Sequence, residues 1–496
     1  MIRSIWTVRG GGMPRLVLHL SLLAGLLFCG AVFAYPQAPT GEELKHLSPD
    51  QAVDLAIKNN LDLETARIGL DIKKRKTDLV WNQFLPNLGV SGSLSRDNWA
   101  TSASSIVAVP GTGTPMIVQG VSGRLNPDIF ATDSINLPQW HVSGMFNATL
   151  TFSFALIEGI RQFKLDYQAG LITFEKAKLQ VEQNVRKMYN NILLLEANDA
   201  LLQENYNNAQ RQADMAEANY KAGLAPRLTW LQAQVAVENL KPTINDLENS
   251  LSSLKGNFAL FLGLSYDTPF ELESLDSGTS YIPQDVADLI SKAASGKPDI
   301  QELQASIITL QSQRKALALQ QYTPYLTFGW TLSSMFNPAL DPFKESWFNG
   351  DSWNKGGAFS ITLGMSLNSL FPFTKEGQNL KDLDAGIRIQ NITLAQQVRS
   401  TELEIVTKVN SLEKTRTTAA AQQSAVDLAQ QSYNLTEEAY RGGLQDFLSV
   451  QSAALALEQA KLQLLTQQFN YLNDLIDLEY SIGVPFGTLS NNGGAK

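Results

Sequence analysis

Polar and apolar residues alternate with a period of two in four stretches of the chain. From residue 142 to 156 the even positions read Val142, Gly144, Phe146, Ala148, Leu150, Phe152, Phe154 and Leu156, with Ser143, Asn147, Thr149, Thr151 and Ser153 between them. Leu88, Val90 and Leu94 alternate with Ser91, Ser93 and Ser95, and Leu326, Phe328, Trp330 and Leu332 with Thr327, Gly329 and Thr331. Phe359, Ile361, Leu363, Met365 and Leu367 alternate with Ser360, Thr362, Gly364, Ser366 and Asn368. Successive side chains of a strand point to opposite faces, so each stretch predicts a strand with one apolar and one polar face. The expected spans are about 87–96, 142–156, 325–334 and 358–368. Hardly a charge sits on the polar faces, which favours a transmembrane β-barrel over a half-buried soluble sheet. Trp99, Trp140, Trp330, Trp347 and Trp353 lie in or beside these strands, as an interfacial aromatic girdle predicts. Four strands are too few to close a barrel, and lipid does not tolerate an unpaired edge. Several copies must therefore share one barrel: two would give eight strands and three would give twelve. Eight-stranded barrels are filled by side chains, so a lumen wide enough for solutes favours three.

Elsewhere the period is helical. Residues 171–222 and 387–441 contain no Gly or Pro, predicting rods of roughly 80 Å at about 1.5 Å per residue. In the first rod, Val181, Val185, Met188, Ile192, Leu195, Asp199, Leu202, Tyr206, Ala209, Ala213, Ala216 and Tyr220 are spaced alternately by four and three, the seam of a coiled coil. Only Asp199 breaks that seam; Ile405, Leu412, Val426, Tyr433 and Tyr440 keep the register in the second rod, with Lys408, Thr415 and Gln422 weakening it. Alanine at 209, 213 and 216 removes bulk near the rod's end and lets helices approach. Gly223 and Gly443 suit the left-handed residue that ends a helix. Pro226 and Asp446 then suit the start of a returning helix. Pro242 predicts a kink in the first returning helix.

The two halves share a repeat. Tyr220-Lys221-Ala222-Gly223-Leu224 recurs 220 positions later as Tyr440-Arg441-Gly442-Gly443-Leu444. At the same offset Leu228-Thr229 matches Leu448-Ser449, Ala233 matches Ala453, and Gly263 matches Gly483. The expected organisation is a signal peptide at 1–34, a first repeat at 35–264, a connector at 265–283, a second repeat at 284–484 and a flexible tail at 485–496. Long helices are expected at about 159–221 and 375–441, with returning helices at about 227–261 and 446–482.

Composition narrows the function. Only 18% of residues are charged, against roughly 25% in soluble domains. No stretch beyond the N-terminus is long and apolar enough for a membrane-spanning helix. Arg15 before the apolar stretch Leu16 to Phe28, with Val32-Phe33-Ala34 after it, predicts a cleaved export signal. Its removal takes away Arg3, Arg9 and Arg15 and no acids, lowering the net charge from −9 to −12. An acidic chain is a poor match for nucleic acid. The one cysteine, Cys29, lies within the signal, so the mature chain forms no disulfide. His46 and His141 stand apart, with no cysteine and no phosphate-cradling loop; no catalytic, metal or cofactor site is expected.

Taken in order, these residues resemble the outer membrane efflux protein (TolC-like) family over nearly the whole mature chain. Ser48 to Asn60, Leu61 to Pro86, the strand exits Leu156-Ile157-Glu158-Gly159 and Leu370-Phe371-Pro372, and the paired helix turns carry the likeness. The resemblance implies an α+β membrane protein: a homotrimeric twelve-stranded barrel in outer-membrane lipid, continuous with a coiled-coil tunnel through the periplasm. It implies a passive exit duct of a tripartite efflux or type I secretion system, with no cofactor and no enzymatic activity. An inner-membrane pump drives such a duct and a periplasmic adaptor opens it. By the same resemblance Gly223, Leu224, Gly443 and Leu444 are the adaptor-docking tip. Tyr440, Gln445, Asp446, Ser449 and Ser452 fall at the gate. The family's paired tip aspartates align with Ser449 and Ser452 and its gate arginine with Gln445, so Asp446 is the remaining candidate for a charged ring, or an ordinary helix cap. The competing reading is a periplasmic coiled-coil scaffold without a pore.

Overall fold

The computed structural model describes residues 44–96, 105–108, 115–118, 140–274, 285–336, 353–367, 371 and 373–489. The signal peptide, Cys29, Trp99, Trp347, Leu370, Pro372, residues 275–283 of the connector and residues 490–496 lie outside the described residues. In chain order the elements are β1 (Leu44–Leu47), α1 (Pro49–Asn59), α2 (Leu61–Asp78), a 3₁₀ turn (Val80–Phe84), β2 (Asn87–Arg96), β3 (Ser105–Ala108), β4 (Pro115–Val118) and β5 (Trp140–Ser153). Then come α3 (Ala155–Lys221), α4 (Arg227–Phe261), β6 (Phe270–Leu272), α5 (Val286–Gly296) and α6 (Pro298–Tyr322). The chain continues with β7 (Tyr325–Phe336), β8 (Trp353–Gly364), α7 (Lys375–Arg441) and α8 (Phe447–Ile482).

The four alternating segments form one antiparallel sheet in the order β2-β5-β7-β8. Its register aligns the apolar positions. Val90 lies opposite Phe146, Phe146 opposite Leu332, Ala148 opposite Trp330, and Trp330 opposite Phe359. One face is therefore continuously apolar. The other carries hydroxyl pairs such as Ser93 with Ser143, 2.8 Å apart, and Thr151 with Thr327, 3.2 Å apart. Three of the four strands differ from the expected limits, β7 by running on to Phe336. β5 ends at Ser153 and α3 starts at Ala155, because a short apolar run satisfies both periods. β8 runs from Trp353 to Gly364, since Gly364 pairs with Tyr325 and Trp353 with Phe336, the two ends of β7. Met365 and Leu367 extend the pattern beyond any partner. Trp330 sits mid-strand, edge-on to Phe146 at 5.7 Å, rather than at a rim.

The rods α3 and α7 each have 67 residues, about 100 Å at 1.5 Å per residue. Val181, Val185, Ile192, Leu202, Ala213 and Ala216 of the first seam are buried, as are Ile405 and Leu412 of the second. α4 is one helix through Pro242, with one intrahelical bond removed there. Near the sheet, α3 is flanked by α2, where Lys73 meets Asp166 at 3.0 Å, and by α6, where Lys176 meets Asp299 at 2.6 Å. Toward the far end α3 is flanked by α4, where Lys255 meets Glu196 at 2.6 Å, and by α8, where Lys187 meets Asp477 at 2.9 Å. α7 lies beyond α6 and α8, with Arg314 on Asp384 at 2.5 Å and Lys408 on Asp477 at 2.9 Å. The helical body is thus four columns: α2 with α4, then α3, then α6 with α8, then α7. The sheet follows the same sequence, strand for column.

This arc has two unlike edges. One carries β2, exposed Ile68 and Ile72 of α2, and exposed Leu228, Leu231 and Val235 of α4. The other carries β8 and a stripe on α7 of exposed Ile389, Ile392, Leu403, Val406, Leu428 and Leu435. Their separations of 3, 11, 3, 22 and 7 residues are each near a whole number of helical turns.

Two short features escaped the sequence pattern. β1 pairs in parallel with β6 inside the connector, a contact too brief to show a period. The start of the tail is held down: the Glu479 carboxylate accepts the N–H groups of Gly487 and Leu489 at 2.9 and 2.8 Å, and Leu489 is buried. Residues 485–489 therefore depart from the expected flexibility, because a buried acceptor captures their backbone.

Candidate gating and docking site at the hairpin ends

Both rods end in the same turn. Gly223 and Gly443 adopt φ of +73° and +75°, where a side chain is strained. The N–H of Leu224 reaches back to the carbonyl of Asn219 at 2.8 Å, and that of Leu444 to Ala439 at 2.8 Å. The next bonds inward, Gly223 to Tyr220 and Gly443 to Tyr440, are both 3.0 Å. This six-to-one and five-to-two pair satisfies carbonyls that a helix end leaves unpaired. It also throws the following residue outward: Leu224 is 78% and Leu444 82% exposed. Two large apolar side chains thus stand free at the end of the molecule farthest from the sheet.

The entries to the returning helices differ. Asp446 caps α8, its Oδ1 accepting the Ser449 N–H at 2.8 Å. Hydrogen bonds from Ser449, first from its side chain and then from its backbone, hold the Asp446 carboxyl below its ordinary value. Pro226 makes no side-chain cap. Asp446 therefore acts here as a helix cap. Gln445 and Ser452 are exposed and Ser449 is half-buried.

Aromatic pairing differs too. Tyr220 stacks on Trp230 of its own hairpin, centroids 5.5 Å apart at 11°. Tyr440 meets Phe447 at 6.2 Å and 64°. Phe447 is only 5% exposed, because it leaves its own hairpin to pack with Ala213, Ala216, Ala233 and Val237 of the other. This contact brings the two turns together at one end of the molecule. No local period in the sequence marks Phe447. Its signal was the alanine run at 209, 213 and 216, which makes a receptacle as well as a close approach.

Above the turns, a cavity of about 130 Å³ lies among α3, α4, α7 and α8, lined by Glu204, Gln212, Tyr433, Glu458 and Lys461 among others. Gln212 donates to the Tyr433 hydroxyl across the hairpins at 3.3 Å. Burial raises the Glu458 carboxyl above its usual range, against a lowering bond from Asn205. Farther up, Asp477 joins three helices, accepting from Lys187 and Lys408 at 2.9 Å each and from Gln183 at 2.8 Å. Burial pushes its carboxyl up, but the lysine bonds outweigh this and hold it below the ordinary value. Among the described residues no helix is long and apolar enough to cross a membrane.

The fold has known counterparts. The structure of CusC superimposes with a TM-score of 0.67 at 16% identity, covering 91% of this chain and 99% of that one. The outer membrane protein VceC from Vibrio cholerae gives 0.64 at 16% identity, covering 88% and 96%. In sequence, the pyoverdine export outer membrane protein OpmQ of Pseudomonas aeruginosa is 22% identical over 299 residues. That alignment spans 58% of this chain and 60% of the relative. The outer membrane efflux protein family model matches residues 52–258 and 289–484. The chain belongs to the outer membrane efflux protein family, a family of channels rather than enzymes, and is placed by it in the outer membrane with a periplasmic extension.

Proposed function

We propose that three copies of the chain join edge to edge into one passive export duct. The observation that carries this reading is the arc with unlike edges. β2 and β8 each leave one side of the sheet unpaired within the chain, and in lipid that is intolerable. Pairing β8 of one copy with β2 of the next also sets the α7 stripe beside α2 and α4 of that neighbour. Such a head-to-tail contact closes into a ring when the rotation permits. Three copies give a twelve-stranded barrel with room for a lumen, its apolar face toward lipid and its hydroxyl face inward.

In this reading the rods extend the duct through the periplasm to the hairpin ends. Leu224 and Leu444, presented by Gly223 and Gly443, dock the periplasmic adaptor. Tyr440, Gln445, Asp446, Ser449 and Ser452 sit at the constriction. An inner-membrane pump supplies the energy, in an efflux or type I secretion system. The duct itself uses no cofactor and transforms no substrate. The likeness to OpmQ, whose name assigns it pyoverdine export, supports the export reading.

The test is assembly and conductance of the full chain. Light scattering on detergent-purified protein is expected to give three copies per particle, and planar bilayers are expected to show discrete pores. Placing charge in the stripe, as Leu428→Asp with Leu435→Asp, is expected to leave single chains without pores. Trimers that survive this double change, or trimers that never conduct, would overturn the proposal.

A further inference from the structure

The second hairpin is fastened to the first in two very different ways. Near mid-length, α8 is pinned by charge: Asp477 bridges Lys187 of α3 and Lys408 of α7, both at 2.9 Å. Thirty residues away, about 45 Å along the helix at 1.5 Å per residue, the fastening is one ring. Phe447 opens α8 and is buried in a socket whose walls are Ala213, Ala216 and Ala233 with Val237. The socket exists because those side chains are small; one extra branch at Ala216 would fill it. Arg227, at the same repeat offset in the first hairpin, is exposed, so the insertion runs one way.

No charge backs it up. Among the described residues, the ion pairs at this level stay within single helices: Arg441 with Glu437 at 2.7 Å and Lys221 with Glu217 at 2.8 Å. Asp446 is spent on capping its own helix. The polar contacts that do cross, Gln212 with Tyr433, Asn205 with Glu458 and Glu204 with Lys461, lie roughly two to four turns farther from the tip.

We propose that Phe447 is the latch of the tip. Withdrawal of its ring from the alanine socket is the step that frees the α7–α8 hairpin from the α3–α4 hairpin, and apolar burial rather than charge holds the closed form. This rests on the reading of the hairpin ends as a gate. Burial of apolar surface is not screened by salt as surface charges are. The closed form is therefore held equally at low and high ionic strength.

The experiment is the open fraction of single pores of the full chain in planar bilayers, for the wild type, Phe447→Ala and Ala216→Leu. Trimer yield and melting are measured in parallel. Emptying the socket and filling it are each expected to raise the open fraction about tenfold, since both remove a large buried side chain from its site. Phe447→Leu is expected to fall between. The wild-type open fraction is expected to be unchanged between low and high salt. Should one substitution prevent assembly, the other reads the latch alone. Variants that assemble and keep the wild-type open fraction overturn the latch while leaving the pore intact, as does a wild-type open fraction that climbs with salt. Trimers that conduct in no variant overturn the pore reading itself, and the latch with it.

Discussion

The two returning helices, α4 and α8, are nearly equal in length, at 35 and 36 residues, yet they live in different surroundings. α8 is an inner column. It lies between α3 and α7 and buries Phe469, Tyr471, Leu475, Leu478 and Ile482, while Asp474 accepts from Ser411 and Thr415 at 3.0 Å each. α4 is an outer column that packs along α3, meets α8 at Phe447 near the tip, and leaves Leu228, Leu231 and Val235 exposed. Pro242 falls in this helix. A similar pattern of residues is thus used once as core and once as an edge, and position in the arc decides which. Sequence similarity between the halves describes the backbone; it does not describe what each side chain meets.

The largest effect should ignore the difference between the two helices. Gly263 and Gly483 end α4 and α8 with φ of +74° and +76°. A Cβ there would come within 2.5 Å of the Asn59 carbonyl oxygen and 2.6 Å of the Gly296 carbonyl oxygen, respectively. Replacement by Ala combines left-handed strain with overpacking and is expected to cost about 3 kcal/mol at either site, measured by denaturant melts of refolded protein. A clear inequality between the two would mean that the joints are not equivalent.

The next prediction separates the helices. Asp477→Ala strips the partner from Lys187 and Lys408 and should cost about 3 kcal/mol. Lys255→Ala breaks the half-exposed bridge of α4 to Glu196 and should cost about 0.5 kcal/mol. Equal losses in the same melts would erase the distinction between inner and outer column. Between these two fall Gly223→Ala and Gly443→Ala, where a Cβ meets open space. Each should cost about 1 kcal/mol, from backbone strain alone.

The smallest effect is a dependence on pH confined to the second hairpin. The folded Asp446 carboxyl is held below its ordinary value of 3.8. Its stabilisation is therefore complete above that ordinary value and is lost as pH falls through the lower folded one. Asp446→Asn keeps the cap and should flatten this part of the profile below about pH 4. Pro226 gives the first hairpin no such response. Melting temperatures of the two proteins across this range would separate them, and parallel curves would remove the carboxyl from the account.

Much of this was legible in the residues. The alternation in Val142 to Ser153 named the apolar face correctly, because strand geometry leaves no other way to sort those side chains. The turns at Gly223 and Gly443 were legible because a helix end of this kind needs a left-handed residue. Strand limits were less so: Trp353 to Gly364 is fixed by the length of β7, a property of the partner. Phe447 was legible only through the alanines that receive it, for a similar reason. Its burial depends on three alanines more than two hundred positions away, and no local period reports such a contact. The exposed stripe of α7 looked like any helical face until the other columns had been placed around it.

The unlike edges of the arc carry a genetic corollary. In the proposed ring, a chain with one spoiled edge still joins a neighbour through its sound edge and leaves the ring unable to close. Expressed beside intact copies, such an allele is dominant: it consumes good chains in dead assemblies instead of merely failing to contribute. Spoiling both edges at once removes the harm, because the product no longer joins anything. A doubly damaged gene should therefore be more innocent than a singly damaged one.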